Sequence, residues 1–145
     1  MNTLIRPFSR LWLAFTLAGA RLAILKPMPR FPQAAGLKDR PDWGFLAAVV
    51  LYGVLMEFIE HVVQFGLGAA TVRAVSYVIF SLGFLFAGWR LFLSYILLSG
   101  FFNTASTAVL LVGLEVYLNP VIIGMNLLAV AVLMMRNEKN TQARK

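Results

Sequence analysis

Apolar runs, separated by short polar or glycine-containing breaks, make up most of the chain after Trp43. A helix needs about 20 apolar residues to cross the roughly 30 Å of hydrocarbon in a bilayer. The runs over 44–66 and 74–98 meet this requirement, but the block over 100–135 would be about 54 Å long as one helix. Asn119-Pro120 is expected to divide that block, because proline removes a backbone donor and disfavours helix before it. The predicted spans are therefore about 44–66, 74–98, 101–118 and 121–135.

These crossings define the expected fold class. We expect an all-α integral membrane protein with a four-helix transmembrane bundle over 44–135, a basic N-terminal region at 1–43 and a basic tail at 136–145. The alternative is three crossings, with the last block as one tilted helix or with an added re-entrant segment. Three crossings would export one of the two basic ends, which disfavours that arrangement.

The N-terminal region contains a shorter apolar stretch, over 11–20, that is too short to span a bilayer well. Arg10 and Arg21 bound it and fall on one helix face, so we expect an amphipathic helix over about 10–25 in the membrane interface. A cleaved signal peptide is the alternative, since the Ala-Gly-Ala sequence at 18–20 has the small residues of a cleavage site.

Composition agrees with a membrane protein and excludes several other classes. Hydrophobic residues make up 60% of the chain and charged residues 13%, against about 25% charged residues in a soluble domain. The absence of cysteine excludes disulfide scaffolds and thiolate metal sites, and the single histidine excludes bis-histidine haem. No P-loop, dinucleotide or hydrolase fingerprint occurs, so we expect neither an enzyme nor a cofactor.

The net charge of +7 is concentrated at the two ends of the chain. All but two of the thirteen basic residues precede Trp43 or follow Met135, the exceptions being Arg73 and Arg90. The positive-inside rule then places both termini in the cytoplasm, with a bacterial inner membrane as the expected location. Anionic lipids of the cytoplasmic leaflet account for these charges without a nucleic-acid partner, because the charges flank apolar spans rather than cover a folded domain.

Glu57, Glu60 and His61 lie within the first predicted span. A charge deep in a bilayer is costly unless it is paired, protonated or solvated, so these residues are functional candidates. Counted from Trp43 at 1.5 Å per residue, Glu57 lies about 21 Å in and Glu60 about 26 Å in, near the outer face. The alternative is that lipid headgroups and water solvate Glu60 and His61 at this depth, so that they mark the outer end of the helix and have no further role.

The predicted topology brings two more charged residues, Glu115 and Arg73, to the same outer face. It therefore predicts one polar cluster of Glu57, Glu60, His61, Glu115 and Arg73. Two carboxylates in a low dielectric cannot both ionise cheaply, so one would share a proton, bind a cation or pair with the arginine. We expect no metal site, because a single histidine and the lack of metal-binding spacing argue against one built from Glu57, His61 and Glu115.

At the inner face, Trp43, Trp89 and Arg90 are the expected interface anchors. The two indoles suit headgroup depth, and the Arg90 guanidinium can extend to lipid phosphate. A buried pairing with a carboxylate is the alternative role of Arg90.

Two functional hypotheses follow. In the first, the chain is a non-catalytic subunit or accessory of a membrane complex, associated with itself or with a larger membrane protein. In the second, it is a homo-oligomeric cation or proton channel or small transporter that uses Glu57, Glu60 and Glu115. The predicted acids lie near one interface, whereas a pathway needs polar groups through its full depth, which favours the first hypothesis.

A reporter fused to Lys145 tests the predicted orientation. We expect fluorescence from a fused green fluorescent protein and no activity from a fused alkaline phosphatase, because an even number of crossings keeps the basic tail in the cytoplasm. Phosphatase activity at Lys145 would contradict the four-crossing arrangement.

Overall fold

The computed structural model describes residues 2–27, 31 and 42–142, and for 2–8, 115 and 138–142 it describes the backbone alone. This part of the chain is all helical and contains no strand. The helices are α1 (Asn2–Ala23), α2 (Trp43–Phe65), α3 (Leu67–Leu85), α4 (Trp89–Leu111) and α5 (Glu115–Gln142). Most of the predicted N-terminal region beyond α1, and the last three residues of the predicted tail, lie outside the described residues.

Four of these helices, α2 to α5, are long and apolar enough to cross a membrane, α5 through its Val116–Asn137 part. The all-helical class and the number of long apolar helices are therefore confirmed. Asp42 precedes α2 and caps it, because its carboxylate accepts a hydrogen bond from the Phe45 N–H at 3.0 Å.

A single glycine separates α2 from α3. Gly66 has a φ of 84°, which glycine adopts without the steric penalty of a β-carbon. The first predicted span, 44–66, agrees with α2, but the boundaries of the second, 74–98, are wrong. Helix α3 begins immediately after Gly66 and ends before a turn at Gly88, whose φ is 118°.

The third and fourth predicted spans, 101–118 and 121–135, are displaced for the same reason. Gly113, with a φ of 72°, forms the turn between α4 and α5. Pro120 lies inside α5, where it removes the backbone donor that would pair with the Val116 carbonyl but does not end the helix. The expected break at Asn119-Pro120 is therefore wrong, and the glycine turn divides this apolar block instead.

Helix α4 occupies the centre of the bundle and contacts each of the other four helices. Its side chains are buried along most of its length, and Leu93, Ile96 and Leu97 are at most 2% exposed. Helix α2 packs along α4 and runs parallel to it, since Glu57 meets Asn103 and Glu60 meets Ser106. Helices α3 and α5 lie at the sides with large exposed apolar surfaces. The α2–α4 pair is thus the core of the fold.

Glycines allow the neighbouring helices to approach closely. A β-carbon at Gly19 of α1 would clash with a backbone carbonyl of α4, and one at Gly100 of α4 would overlap the ring of Tyr52 on α2. Gly53 of α2 likewise makes room for the hydroxyl of Tyr77 on α3. Contacts that small residues permit are typical of helix packing in membranes.

Helix α1 packs into the bundle. Phe15 and Ala18 are 1% exposed, and Gly19 lies against Leu97. Leu97 is about 12 Å along α4 from its start, so this contact is in the middle of α4. A helix is present in this region, as predicted, but it runs over Asn2–Ala23 rather than about 10–25. The predicted position in the membrane interface does not fit this contact if α4 crosses the membrane.

The bundle has two different ends. The turns at Gly66 and Gly113 form one of them, which we call the turn end. Helices α2 and α4 begin at the opposite end, where α1 and α5 finish and Arg136 donates a hydrogen bond to the Leu25 carbonyl at 3.1 Å. We call this the basic end, for the cations described below.

Gly19→Ala tests the close packing of α1 on α4. We expect the substitution to lower the free energy of unfolding by about 1–3 kcal/mol, because the added methyl group must displace the α4 backbone. The measurement is loss of helical circular dichroism during titration of the detergent-solubilised protein with sodium dodecyl sulfate.

Gly124→Ala is the matched control, since a β-carbon on this helical glycine meets no atom within 4 Å. We expect it to be neutral or stabilising by up to about 1 kcal/mol, through helix propensity alone. Equal effects of the two substitutions would contradict the described packing of α1.

Candidate functional site

The acidic residues of α2 lie near the turn end, with the only histidine beside them. Glu57 is about 12 Å from the end of α2, and Glu60 and His61 are closer to it. The side chains of these three residues are 7%, 12% and 15% exposed. Together with four partners they form what we call the carboxylate cluster: Glu57, Glu60, His61, Arg73, Asn103, Ser106 and Asn119.

Both carboxylate oxygens of Glu57 accept a hydrogen bond from another helix. Nε of Arg73 on α3 donates to Oε1 at 3.0 Å, and Nδ2 of Asn103 on α4 donates to Oε2 at 2.6 Å. The cation balances the buried negative charge, and the amide satisfies the second oxygen. Glu57 therefore connects α2, α3 and α4 at a single point, while most of the Arg73 side chain remains exposed.

Glu60 has a second set of partners, which extends to α5. The Ser106 hydroxyl on α4 lies 2.7 Å from Oε1 of Glu60 and 3.2 Å from Oδ1 of Asn119 on α5. Nδ1 of His61 is 3.5 Å from Oε2 of Glu60 and 3.0 Å from the backbone carbonyl of Glu57. The cluster thus contacts four helices within a short distance of the turn end.

The structure brings together four of the five residues predicted to cluster: Glu57, Glu60, His61 and Arg73. The fifth, Glu115, begins α5 at the same end, but its side chain lies outside the described ones. Arg73 lies within α3, where the sequence predicted an external turn.

Sequence reasoning missed Asn103, Ser106 and Asn119 as members of the cluster. A signal for two of them exists in the spacing. Asn103 and Ser106 are three residues apart, as are Glu57 and Glu60, and residues three apart share a helix face. Because α2 and α4 run parallel, the two pairs match residue by residue.

Glu57, Glu60 and His61 each have one oxygen or nitrogen atom that could bind a metal ion, and these three atoms lie within 4.8 Å of one another. The three residues could therefore reach a single cation. Both oxygens of Glu57 are already engaged by Arg73 and Asn103, however. The nearby guanidinium charge also opposes a metal ion. The donor set therefore fits an internal ion pair better than a metal centre.

Polar side chains continue beyond the cluster towards the basic end. The hydroxyls of Tyr77 on α3 and Ser99 on α4 are 2.6 Å apart. Further along, the hydroxyls of Thr16 on α1 and Tyr52 on α2 are 3.1 Å apart. Polar groups inside the bundle are thus spread over a greater depth than the acidic residues alone indicated.

The predicted anchors lie at the basic end. Trp43 and Trp89 are the first residues of α2 and α4, and Arg90 is exposed beside Trp89. Lys26 and Arg136, both exposed, are at the same end. Lys26, Arg90 and Arg136 thus share the basic end with the acidic cap Asp42, whereas Arg73 and the acidic residues of the cluster lie near the turn end.

Comparisons with models of known protein families, with curated proteins and with solved structures find no match to this chain. What the cluster can do chemically follows from its own donors and acceptors. Glu57 and Arg73 form an ion pair, whereas the Glu60 carboxyl group has no arginine or lysine partner among the described residues and can accept or donate a hydrogen bond according to whether it carries a proton.

A double-mutant cycle on Glu57 and Arg73 tests the ion pair. We expect Arg73→Met to destabilise the protein, because it leaves the Glu57 charge without its cation, and Glu57→Gln to remove most of that penalty. The coupling free energy should be about 1–3 kcal/mol, measured by unfolding in sodium dodecyl sulfate.

Arg90→Met is the control, since this arginine has no acidic partner among the described residues. Its cycle with Glu57→Gln should be additive. A coupling near zero for Arg73 would show that the contact with Glu57 contributes nothing to stability.

Proposed function

We propose that this chain is a small multi-pass protein of a bacterial inner membrane that acts as a non-catalytic subunit or accessory of a membrane complex. The observation that carries the proposal is the internal pairing of the carboxylate cluster. Glu57 has both oxygens engaged, and Glu60 contacts Ser106 and His61. Polar groups satisfied in this way hold helices together and leave few atoms free to bind a substrate.

The positions of the cavities support this proposal. Two cavities formed by described residues are open grooves on the outside of the bundle, and neither includes a carboxylate. One is lined by Ser9, Trp12, Leu13, Thr16 and Leu55, and the other by Met56, Ile59, Thr104, Thr107, Ala108 and Leu111. Neither groove offers the convergent polar groups of a substrate site.

The outer faces of α3 and α5 also support a role in assembly. Large apolar side chains along both helices are more than half exposed, for example Ile79 and Phe80 on α3 and Leu127 on α5. In a bilayer such faces contact lipid, another copy or a larger membrane protein. A bundle with two uncovered flanks has room for such a partner.

We further propose that the basic end faces the cytoplasm. Lys26, Arg90 and Arg136 would attract anionic lipids of the inner leaflet, and Trp43 and Trp89 would lie at headgroup depth. The exposed cations at this end support the orientation, and the acidic residues of the carboxylate cluster then lie on the side away from the cytoplasm.

A second candidate function is a cation or proton pathway in a homo-oligomer. Two observations favour it: the donor atoms of Glu57, Glu60 and His61 within 4.8 Å of one another, and the deeper polar pairs Tyr77–Ser99 and Thr16–Tyr52. Those pairs weaken the expectation that polar groups are confined to one interface.

Glu57→Gln separates the two proposals when association and flux are measured on the same variant. For a structural subunit, cross-linking in native membranes followed by purification in mild detergent should recover the wild-type chain with a larger membrane protein. Glu57→Gln should reduce that recovery, because the cluster positions three helices. Liposomes that contain the wild-type chain should show no cation or proton flux.

Two results together would overturn the subunit proposal and support the pathway. The first is cation or proton flux in liposomes that contain the wild-type chain, which Glu57→Gln abolishes. The second is recovery of the chain only as a homo-oligomer.

A further inference from the structure

Ser106 lies between two hydrogen-bond acceptors on different helices. Its hydroxyl oxygen is 2.7 Å from Oε1 of Glu60 on α2 and 3.2 Å from Oδ1 of Asn119 on α5. A serine hydroxyl carries one hydrogen and cannot donate to both oxygens. When Glu60 is ionised and the amide oxygen of Asn119 faces Ser106, the two contacts in this row of three groups need two hydrogens, and only the hydroxyl hydrogen of Ser106 is present.

Two arrangements supply the missing hydrogen. When Glu60 is protonated, its O–H donates to Ser106, and the Ser106 hydroxyl donates to the Asn119 oxygen. When Glu60 is ionised, Ser106 donates to Glu60, and the Asn119 amide rotates by about 180° so that its N–H donates to Ser106. Ser106 is 7% exposed and the Glu60 side chain 12%, so little solvent reaches the contact between these two groups, while Asn119 is half-buried.

We propose that protonation of Glu60 sets the orientation of the Asn119 amide through Ser106, so that a proton bound on α2 changes a contact made by α5. The linkage concerns how the bundle responds to pH, and it holds whether the chain is a structural subunit or part of a pathway.

Three charged or titratable side chains surround Glu60: those of His61, Glu57 and Arg73. Nδ1 of His61 lies 3.0 Å from the backbone carbonyl oxygen of Glu57. Because that oxygen can only accept, Nδ1 is the donor and carries a hydrogen. Glu57, also on α2, is paired with Arg73 of α3 at 3.0 Å. Glu57 therefore already has a cation as its partner and is not part of the row formed by Glu60, Ser106 and Asn119.

The other two helices contribute only neutral partners among the described side chains of the cluster. Helix α4 presents Asn103 and Ser106, and helix α5 presents Asn119. The side chain of Glu115, four residues before Asn119 on α5, lies outside the described ones, so the test includes Glu115→Gln as a background.

The test is nuclear magnetic resonance of the full chain in lipid nanodiscs, titrated from about pH 4 to pH 9, a range that covers carboxylates and histidine. The Glu60 carboxyl signal is assigned by its loss in Glu60→Gln, and the Asn119 side-chain amide signal by its loss in Asn119→Ala. We expect the two signals to change with the same midpoint, also in the Glu115→Gln background.

Ser106→Ala should abolish the response of the Asn119 amide while the Glu60 transition persists. Thr107→Ala is the matched control, because the Thr107 hydroxyl donates to the Asn103 carbonyl at 2.8 Å and is not part of the row. It should leave both responses intact. If Ser106→Ala does not fold, Glu60→Gln provides the second test, since the Asn119 amide should then be insensitive to pH.

Three results would overturn the proposal. The first is an Asn119 amide that does not change with pH in the wild-type chain. The second is an Asn119 response that persists in Ser106→Ala or in Glu60→Gln. The third is a midpoint for Asn119 that differs from that of Glu60.

Discussion

The charge of Glu57 is the constraint on which the arrangement of α2, α3 and α4 depends. A carboxylate with 7% of its side chain exposed, inside an apolar bundle, costs several kcal/mol unless a cation and hydrogen-bond donors reach it. Arg73 supplies the cation from α3 and Asn103 supplies the amide from α4. Moving either helix by one turn, about 5.4 Å, would separate the donor from the acceptor. The cluster therefore restricts the register of three helices, which apolar packing alone specifies only weakly.

Close packing on α4 makes this polar register compatible with a dense core. Gly19 and Gly100 remove the side chains that would hold α1 and α2 away from α4. The same close approach brings Glu60 to Ser106 and, beyond it, to Asn119 on α5. Glycine contacts and polar contacts thus support each other, because short interhelical distances are what allow a glutamate on one helix to reach an asparagine on the next.

The sequence indicated the coarse architecture and part of the cluster. It missed the helix boundaries, the position of α1 and three members of the cluster, each for a physical reason. Apolar length gave the four long helices, and depth along them placed Glu57, Glu60, His61 and Arg73 together. Helix boundaries were wrong because a glycine with positive φ, such as Gly113, ends a helix where its neighbours give no sign, whereas a proline can stay inside one. The position of α1 depends on tertiary contacts that periodicity does not reveal. The spacing of Asn103 and Ser106 matches that of Glu57 and Glu60, but the match has a meaning only once the parallel register of α2 and α4 is known. Asn119 was missed because the sequence predicted a helix break there, whereas it lies inside α5.

The most direct test of the account is the distance between Glu57 and Arg73 in a lipid bilayer. Magic-angle-spinning nuclear magnetic resonance on the chain with ¹⁵N-labelled arginine and ¹³C-labelled glutamate measures the dipolar coupling between Nε of Arg73 and the carboxyl carbon of Glu57. With Nε placed 3.0 Å from Oε1, a measurable coupling should appear in the wild-type chain and disappear in Glu57→Gln. A wild-type chain that folds in the bilayer without this coupling would contradict the claim that the Glu57 charge is satisfied inside the bundle.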